Sequence, residues 1–259
     1  MVVLQRADTK CQQCRATGFD IELSMAFQPI VDAERRVVVA QEALVRGARG
    51  EGAGSVFAHV NDDNRYRFDQ ECRVKAVQLA AKVGVTSLLH INFMPNAVYE
   101  PRACIQKSLE AARRERFPAA NLMFEFTENE RMSDPKHVEN IVSAYKALGF
   151  WTALDDFGAG YAGLSLLARL QPNLIKIDME LLRDIHLSQA RQVIVSALAT
   201  MARELDITLL AEGVESEAEL TALRAAGIRL FQGYHFAKPG FMSLPAVQGL
   251  RPSGLSRAG

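Results

Sequence analysis

One apolar run in this chain ends in two adjacent aspartates, Asp155 and Asp156, within WTALDDFGAGYAG. Polar and charged side chains close other apolar runs in the same way. They are Glu42 in VVVAQEALVR, Asn92 in SLLHINF, Glu125 in NLMFEFTE, Lys176 and Asp178 in NLIKID, Glu212 in ITLLAEG and Gln232 in IRLFQGYHF. Charge left at the end of a buried strand costs free energy unless a cation or partner group compensates it. A lone carboxylate in such a place reads as a helix cap or a surface ion pair. A set drawn from the whole length of the chain reads as convergence on one metal-rich site. Carboxylates and an amide oxygen are hard ligands suited to Mg2+ or Mn2+, and the histidines and cysteines offer no zinc-type cluster. Adjacent aspartates can serve two cations, and a two-metal site is the usual device for attack of water on a phosphodiester.

Two cationic side chains fit the same chemistry. Lys176 stands two residues before Asp178, so on a strand the pair shares a face; a lysine there could orient the attacking water or accept its proton. Its plainer role is a structural ion pair. Arg46 follows Glu42 by four residues, again on one strand face, and its planar fork suits a phosphate. The plainer role here is a solvated surface arginine. After the aspartates, Phe157-Gly158-Ala159-Gly160-Tyr161-Ala162-Gly163 carries three glycines, which permit a mobile loop.

These residues need a scaffold, and the chain supplies a repeating one. Apolar, β-branched runs predict strands near 25–31, 36–46, 87–93, 121–127, 150–155, 173–178, 207–212 and 228–235. Helical spacing fills most of the gaps. Residues 64–83 place Phe68, Cys72, Val74, Ala76, Leu79 and Val83 near one stripe. Pro135 opens a helix that Gly149 closes, 180–205 reads as one long amphipathic stretch, and Ser216-x-x-Glu219 forms a capping box. Such alternation gives a mainly parallel sheet with right-handed crossovers. Only Asp32 to Arg35 separate the first two strands, too few for a crossover helix, so those strands should pair antiparallel. The predicted fold is α/β: a TIM-like eight-stranded barrel with one reversed strand, the site lying at the C-terminal strand ends. The expected division is a lead-in over 1–23, a barrel over 24–245 and a tail over 246–259.

The bulk composition narrows the function. The 259 residues suffice for one such barrel, and 49% apolar with 23% charged residues is ordinary for a globular protein. Lys plus Arg and Asp plus Glu are each 30, so formal net charge is zero, which argues against a whole-protein face for duplex DNA or anionic membrane. No apolar run reaches the ~20 residues of a membrane span. The start lacks a secretory pattern, and four cysteines make no disulfide framework, so a reducing cytoplasm is expected. Cys11-Gln12-Gln13-Cys14 has half-zinc-site spacing without a second pair and reads as two ordinary thiols. Arg113-Arg114-Glu115-Arg116 reads as a solvated helix end.

The chain resembles the EAL-domain family of cyclic di-GMP phosphodiesterases. The resemblance rests on Glu42-Ala43-Leu44, preceded by FQPIVD and followed by Val45-Arg46. It continues through Ile91-Asn92, Glu125-Phe126-Thr127-Glu128, Asp155-Asp156-Phe157-Gly158-x-Gly160-Tyr161, Lys176-Ile177-Asp178, Ala211-Glu212-Gly213-Val214-Glu215 and Gln232-Gly233-Tyr234. These occur in family order over about residues 25–240. The resemblance implies an eight-stranded barrel with one antiparallel strand and hydrolysis of cyclic di-GMP to linear pGpG with two Mg2+ or Mn2+ ions. It implies that Glu42, Asn92, Glu125, Asp155, Asp156 and Glu212 are metal ligands, with Asp155 the bridge. Lys176 would position or deprotonate the water, and Gln232 would support the site near the substrate. Leu44 and Arg46 would contact substrate; for the guanines, Asn96 and Tyr234 are looser guesses. Glu128 would anchor the glycine loop that links metal binding to dimerisation, so a homodimer is implied. Departures from the family pattern are Ala162-Gly163 in the loop, Gly47 after the arginine and Met94 after the asparagine; none removes a ligand. The alternatives are a catalytically silent cyclic di-GMP receptor or protein-interaction adaptor, and another dimetal barrel hydrolase.

Overall fold

The computed structural model describes Phe19 and residues 21–127, 135–159 and 163–247. Cys11, Cys14, Glu128 and residues 160–162 lie outside the described residues. The strands are β1 (Leu23–Asp32), β2 (Val37–Gly47), β3 (Leu88–Asn92), β4 (Leu122–Thr127), β5 (Trp151–Phe157), β6 (Leu174–Ile177), β7 (Thr208–Ala211), β8 (Leu230–Phe231) and β9 (Gly240–Phe241). The helices are α1 (Ala53–Phe57), α2 (Arg65–Val83), α3 (Pro101–Cys104), α4 (Gln106–Arg114), α5 (Pro135–Ala147), α6 (Gly163–Leu170), α7 (Met179–Leu182), α8 (Gln189–Glu204) and α9 (Glu217–Ala225).

Strands β2 to β8 run parallel in sequence order, and β1 closes the barrel by pairing antiparallel with both β2 and β8. β1 is therefore the reversed strand. Its hairpin to β2 follows from Asp32, whose Oδ1 accepts from the backbone N–H of Glu34 at 3.0 Å and of Arg35 at 2.9 Å. This is the Asx-type bonding that favours aspartate at a turn. The short β9 adds to β1 through Ala26 and Phe27. Phe19 is buried with its ring 5.1 Å from that of Phe68, so packing begins ahead of residue 24.

Alternation along the strands builds the interior in two layers. The lower layer is apolar, with Ile30, Ala40, Met123, Ala153, Leu174 and Leu210 buried and Leu88 and Leu230 packed against them. One pleat further along each strand stands one polar residue: Gln28, Glu42, His90, Glu125, Asp155, Lys176, Glu212 and Gln232. Residues alternating with these on the opposite face, among them Phe27, Ala43, Leu89, Ile91, Phe124, Leu154, Ile175, Ala211 and Phe231, join the outer core under the helices. Each strand thus spends its apolar residues on both faces and reserves one interior position for chemistry.

Two helical expectations are corrected. The stretch read as one helix over 180–205 is α7, a 3-10 turn at Ile185–Leu187, and α8. Asp184 adopts φ 54 and breaks the run, its backbone N–H donating to Glu219 Oε1 at 3.0 Å. Ser188 then restarts the helix as N-cap of α8. On α2 Phe68 and Ala76 are buried and Cys72, Val74, Leu79 and Val83 pack against the core as expected, but the buried face also takes in Asp69, Gln70 and Arg73, so it is not purely apolar. Arg73 and Asp69 neutralise each other at 2.8 Å, and Asp69 Oδ1 accepts from Met94 N at 2.8 Å. That pairing lets two charges face inward and ties α2 to the segment after β3. The capping box of α9 forms as expected from Ser216 and Glu219, and Arg113 and Arg114 end α4 exposed.

Candidate active site

Glu42, Glu125, Asp155, Lys176 and Glu212 meet at the polar layer. Lys176 is 1% exposed, and its Nζ lies 3.2 Å from Glu42 Oε1, 3.1 Å from Glu125 Oε2, 3.2 Å from Asp155 Oδ1 and 2.8 Å from Glu212 Oε1. Four carboxylates from four strands surround one ammonium. Glu42 is held further by two amides: Asn92 Nδ2 donates to Oε1 at 2.9 Å and Gln232 Nε2 donates to Oε2 at 2.8 Å. Both amide carbonyl oxygens remain acceptors.

The aspartate pair works through a local break in the strand. Consecutive strand residues face opposite sides, so Asp155 and Asp156 in regular extended backbone would be parted. Asp156 instead adopts φ 55, a region in which Asp is tolerated better than most residues, and the β5–β6 register shifts between Leu154 and Phe157. Its backbone N–H donates to Asp155 Oδ1 at 2.9 Å. The result is two overlapping carboxylate groups whose ligand atoms lie within 4.8 Å of one another: Glu42, Glu125 and Asp155 in one, Asp155, Asp156 and Glu212 in the other. Asp155 belongs to both.

The loops after β7 and β8 lock the far side. Gln232 N donates to Ala211 O at 2.9 Å, and Val214 N donates to Gln232 O at 3.0 Å. Gly233 is packed so closely that a Cβ there would lie 2.1 Å from Val214 O. This clasp sets Glu212 beside Lys176 and Gln232 beside Glu42.

Electrostatics follow from crowding. Burial pushes the Asp155 carboxyl up to about 7; Lys176 opposes this, while Glu125, Glu42 and Asp156 add to it. Glu212 is pushed well up for the same reasons, burial first. Burial acts upward on Glu125 too, but Lys176 and His90 outweigh it and hold that carboxyl at about 2. Lys176 goes well above the ordinary lysine value because burial is outweighed by its four carboxylates. Five carboxylates and one ammonium share the cluster, burial favours the protonated form of Asp155 and Glu212 until a cation displaces the proton, and the donors are all hard oxygens. The cluster therefore fits a hard divalent cation.

Two cavities open on either side of this cluster and share Glu42, Leu44 and Asp155. One, of about 410 Å³, is mainly apolar, with Arg46, Phe57, Phe68 and Met94 in its wall. The other, of about 340 Å³, is lined mostly by polar and charged residue types, among them Gln28, Asp178, Glu215 and Tyr234. Tyr234 is exposed, with Lys238 Nζ 5.3 Å from its ring centroid. Asp178, just past β6, lines this second cavity with Lys176 and also caps α7, its Oδ1 accepting from Glu180 N at 2.7 Å. Asn96 sits in the 3-10 turn after β3 and lines neither cavity.

The EAL domain model matches residues 15–239. The chain belongs to the EAL domain family. Among solved structures, a standalone EAL protein from Vibrio cholerae O395 in its cyclic di-GMP-bound form is 56% identical with a TM-score of 0.86, covering 89% of this chain and 98% of that one. The manganese and cyclic di-GMP complex of BlrP1 from Klebsiella pneumoniae is 35% identical with a TM-score of 0.83, covering 89% and 59%. Two curated relatives come from Escherichia coli K12. The blue light- and temperature-regulated antirepressor BluF is 30% identical, covering 95% of this chain and 61% of its own. The cyclic di-GMP phosphodiesterase PdeR is 39% identical over 123 residues, covering 48% and 18%. The chain thus spans about three fifths or less of these two curated relatives. As in its EAL relatives the fold is a barrel, and among the described residues no helix is long and apolar enough to cross a membrane.

Every expected site residue on a described strand end joins this cluster or lines its cavities. Glu128 lies outside the described residues. Sequence reasoning passed over His90 and gave Gln28 no role. Both were within reach, because His90 stands two residues before Asn92 and Gln28 two before Ile30 on the same strand face.

Proposed function

We propose that this EAL domain hydrolyses cyclic di-GMP to linear pGpG with two Mg2+ or Mn2+ ions. The observation that carries the reading is that Asp155 belongs to two overlapping carboxylate groups at the meeting point of two cavities. A shared carboxylate suits paired cations, and cavities on both sides of it leave room for a ligand that spans the cluster. The solved relatives that bind cyclic di-GMP and manganese support the same choice of ligand and ion.

Bound cations would supply charge that neutralises the phosphodiester and makes water a competent nucleophile. Glu42, Asn92, Glu125 and Asp155 would hold one, and Asp155, Asp156 and Glu212 the other. Lys176, kept as an ammonium by its neighbours, acts as a donor that orients the attacking water rather than as an acceptor of its proton. Arg46 offers its fork to the phosphate, Leu44 lies against the substrate between the cavities, and Gln232 steadies Glu42. Water's oxygen adds to phosphorus and the P–O3′ bond breaks, leaving a 5′-phosphate and a 3′-hydroxyl. A homodimer, organised by Glu128 and the glycine loop, and a cytoplasmic place of action belong to the same proposal.

The second reading is a catalytically silent cyclic di-GMP receptor or protein-interaction adaptor, and the relative named an antirepressor favours the adaptor. Purified protein incubated with cyclic di-GMP and Mg2+ or Mn2+, with nucleotides separated by chromatography, decides between them. Chelator-sensitive appearance of pGpG supports hydrolysis. Intact nucleotide that is nevertheless bound supports the receptor.

A further inference from the structure

His90 is the one titratable member of the polar layer that the proposed reaction leaves without a task. It is 1% exposed on β3, between the strand carrying Glu42 and the strand carrying Glu125. Its Nδ1 contacts Glu125 Oε1, while the other oxygen of that carboxylate, Oε2, lies 3.1 Å from Lys176 Nζ. Glu125 is fully buried, so bulk water cannot replace either partner. Its carboxylate plane is fixed by one contact on each oxygen, from opposite neighbours. A carboxylate oxygen only accepts, so the imidazole nitrogen facing Glu125 is the donor.

We propose that His90 is a positioning residue that fixes Glu125 in the orientation in which it joins Glu42 and Asp155 around a cation. The inference rests on the metal-dependent reading above. Without His90, Glu125 Oε1 loses its partner, and the carboxylate can turn about its remaining contact to Lys176. Outer contacts of this kind hold a ligand in its binding geometry. A histidine kept only for its bulk would do none of this, and an apolar residue of similar size would replace it.

The test is calorimetric titration of Mn2+ into wild type, His90→Leu and His90→Asn, with kcat and KM for cyclic di-GMP measured at low and saturating Mn2+. The inference predicts that leucine weakens Mn2+ binding about 10–100-fold while asparagine, which keeps a donor, recovers most of the loss. It further predicts that kcat of the leucine variant falls at low Mn2+ and recovers at saturation, with KM unchanged. Wild-type affinity in the leucine variant overturns the inference, as does equal weakening in both variants. If the leucine variant fails to fold, His90→Met, which also lacks a donor, carries the same comparison. Failure of wild type itself to bind Mn2+ overturns the underlying reading as well, and so separates the two.

Discussion

Lys176 Nζ lies 2.8 Å from Glu212 Oε1, its shortest contact among four carboxylates. The ammonium is the protein's own counter-charge at this point. Lys176→Met leaves four carboxylates facing one another without it, and breaking a buried ion pair from one side costs about 3–5 kcal/mol. Thermal unfolding of chelator-treated protein should show that loss as a lowered Tm. Added Mn2+ should raise Tm more in this variant than in wild type, because the cation takes over the ammonium's task. An unchanged Tm in the variant contradicts the arrangement.

Glu42 gathers Lys176, Asn92 and Gln232 onto its two oxygens. Glu42→Ala should therefore reduce kcat beyond the about 10–100-fold typical of losing a supporting contact. Circular dichroism should report an intact barrel, since the apolar layer beneath is untouched. Turnover near the wild-type rate removes Glu42 from the chemistry.

The pH dependence has a definite sign. Asp155 holds its proton up to about 7, whereas an unfolded aspartate releases it near about 4. The folded protein binds the extra proton between these values, so Asp155's contribution to stability in chelator-treated protein falls as pH rises from about 4 to about 7. Glu125 acts oppositely: its carboxyl is held at about 2, so its contribution is present above about 4 and lost as pH falls toward 2. A cation must expel the protons that burial favours on Asp155 and Glu212, so Mn2+ affinity should climb as pH rises through 6 and about 7, with proton release on binding. Calorimetry in buffers of different ionisation enthalpy measures that release. Affinity that is flat over this range contradicts a protonated Asp155.

Gly233 is the tightest point of the clasp between the β7 and β8 loops, where a Cβ would meet Val214 O at 2.1 Å. Gly233→Ala should cost about 1–3 kcal/mol or more, the range for overpacking a rigid site. It should also displace Gln232 from Glu42, lowering kcat even where the protein folds. Denaturant unfolding beside turnover measures both, and an alanine variant that matches wild type in each refutes the clasp.

Much of this site was legible because the barrel interior obeys a period of two. Ala40 and Glu42, Met123 and Glu125, Ala153 and Asp155, Leu174 and Lys176, and Leu210 and Glu212 repeat the same step from apolar to polar residue on every strand. The antiparallel hairpin was legible from the short turn at Asp32. Backbone geometry was less so. Nothing in the residue types announces that Asp156 turns to φ 55 and so brings its carboxylate beside Asp155, or that Asp184 breaks a helical pattern. His90 escaped notice because a histidine inside an apolar run reads as core, and only its register against Glu125 gives it a partner. The buried Asp69–Arg73 pair was hidden for a related reason: each residue alone reads as surface, and only together can they face inward.

The most direct test of the account follows pGpG by chromatography while Mn2+ is titrated into chelator-treated protein with cyclic di-GMP, for wild type and Asp155→Asn. Turnover should appear only as a second equivalent of Mn2+ binds, and not at all in Asp155→Asn, because one carboxylate serves both ions. Full turnover at one equivalent, turnover in the presence of chelator, or an active Asp155→Asn variant would contradict it.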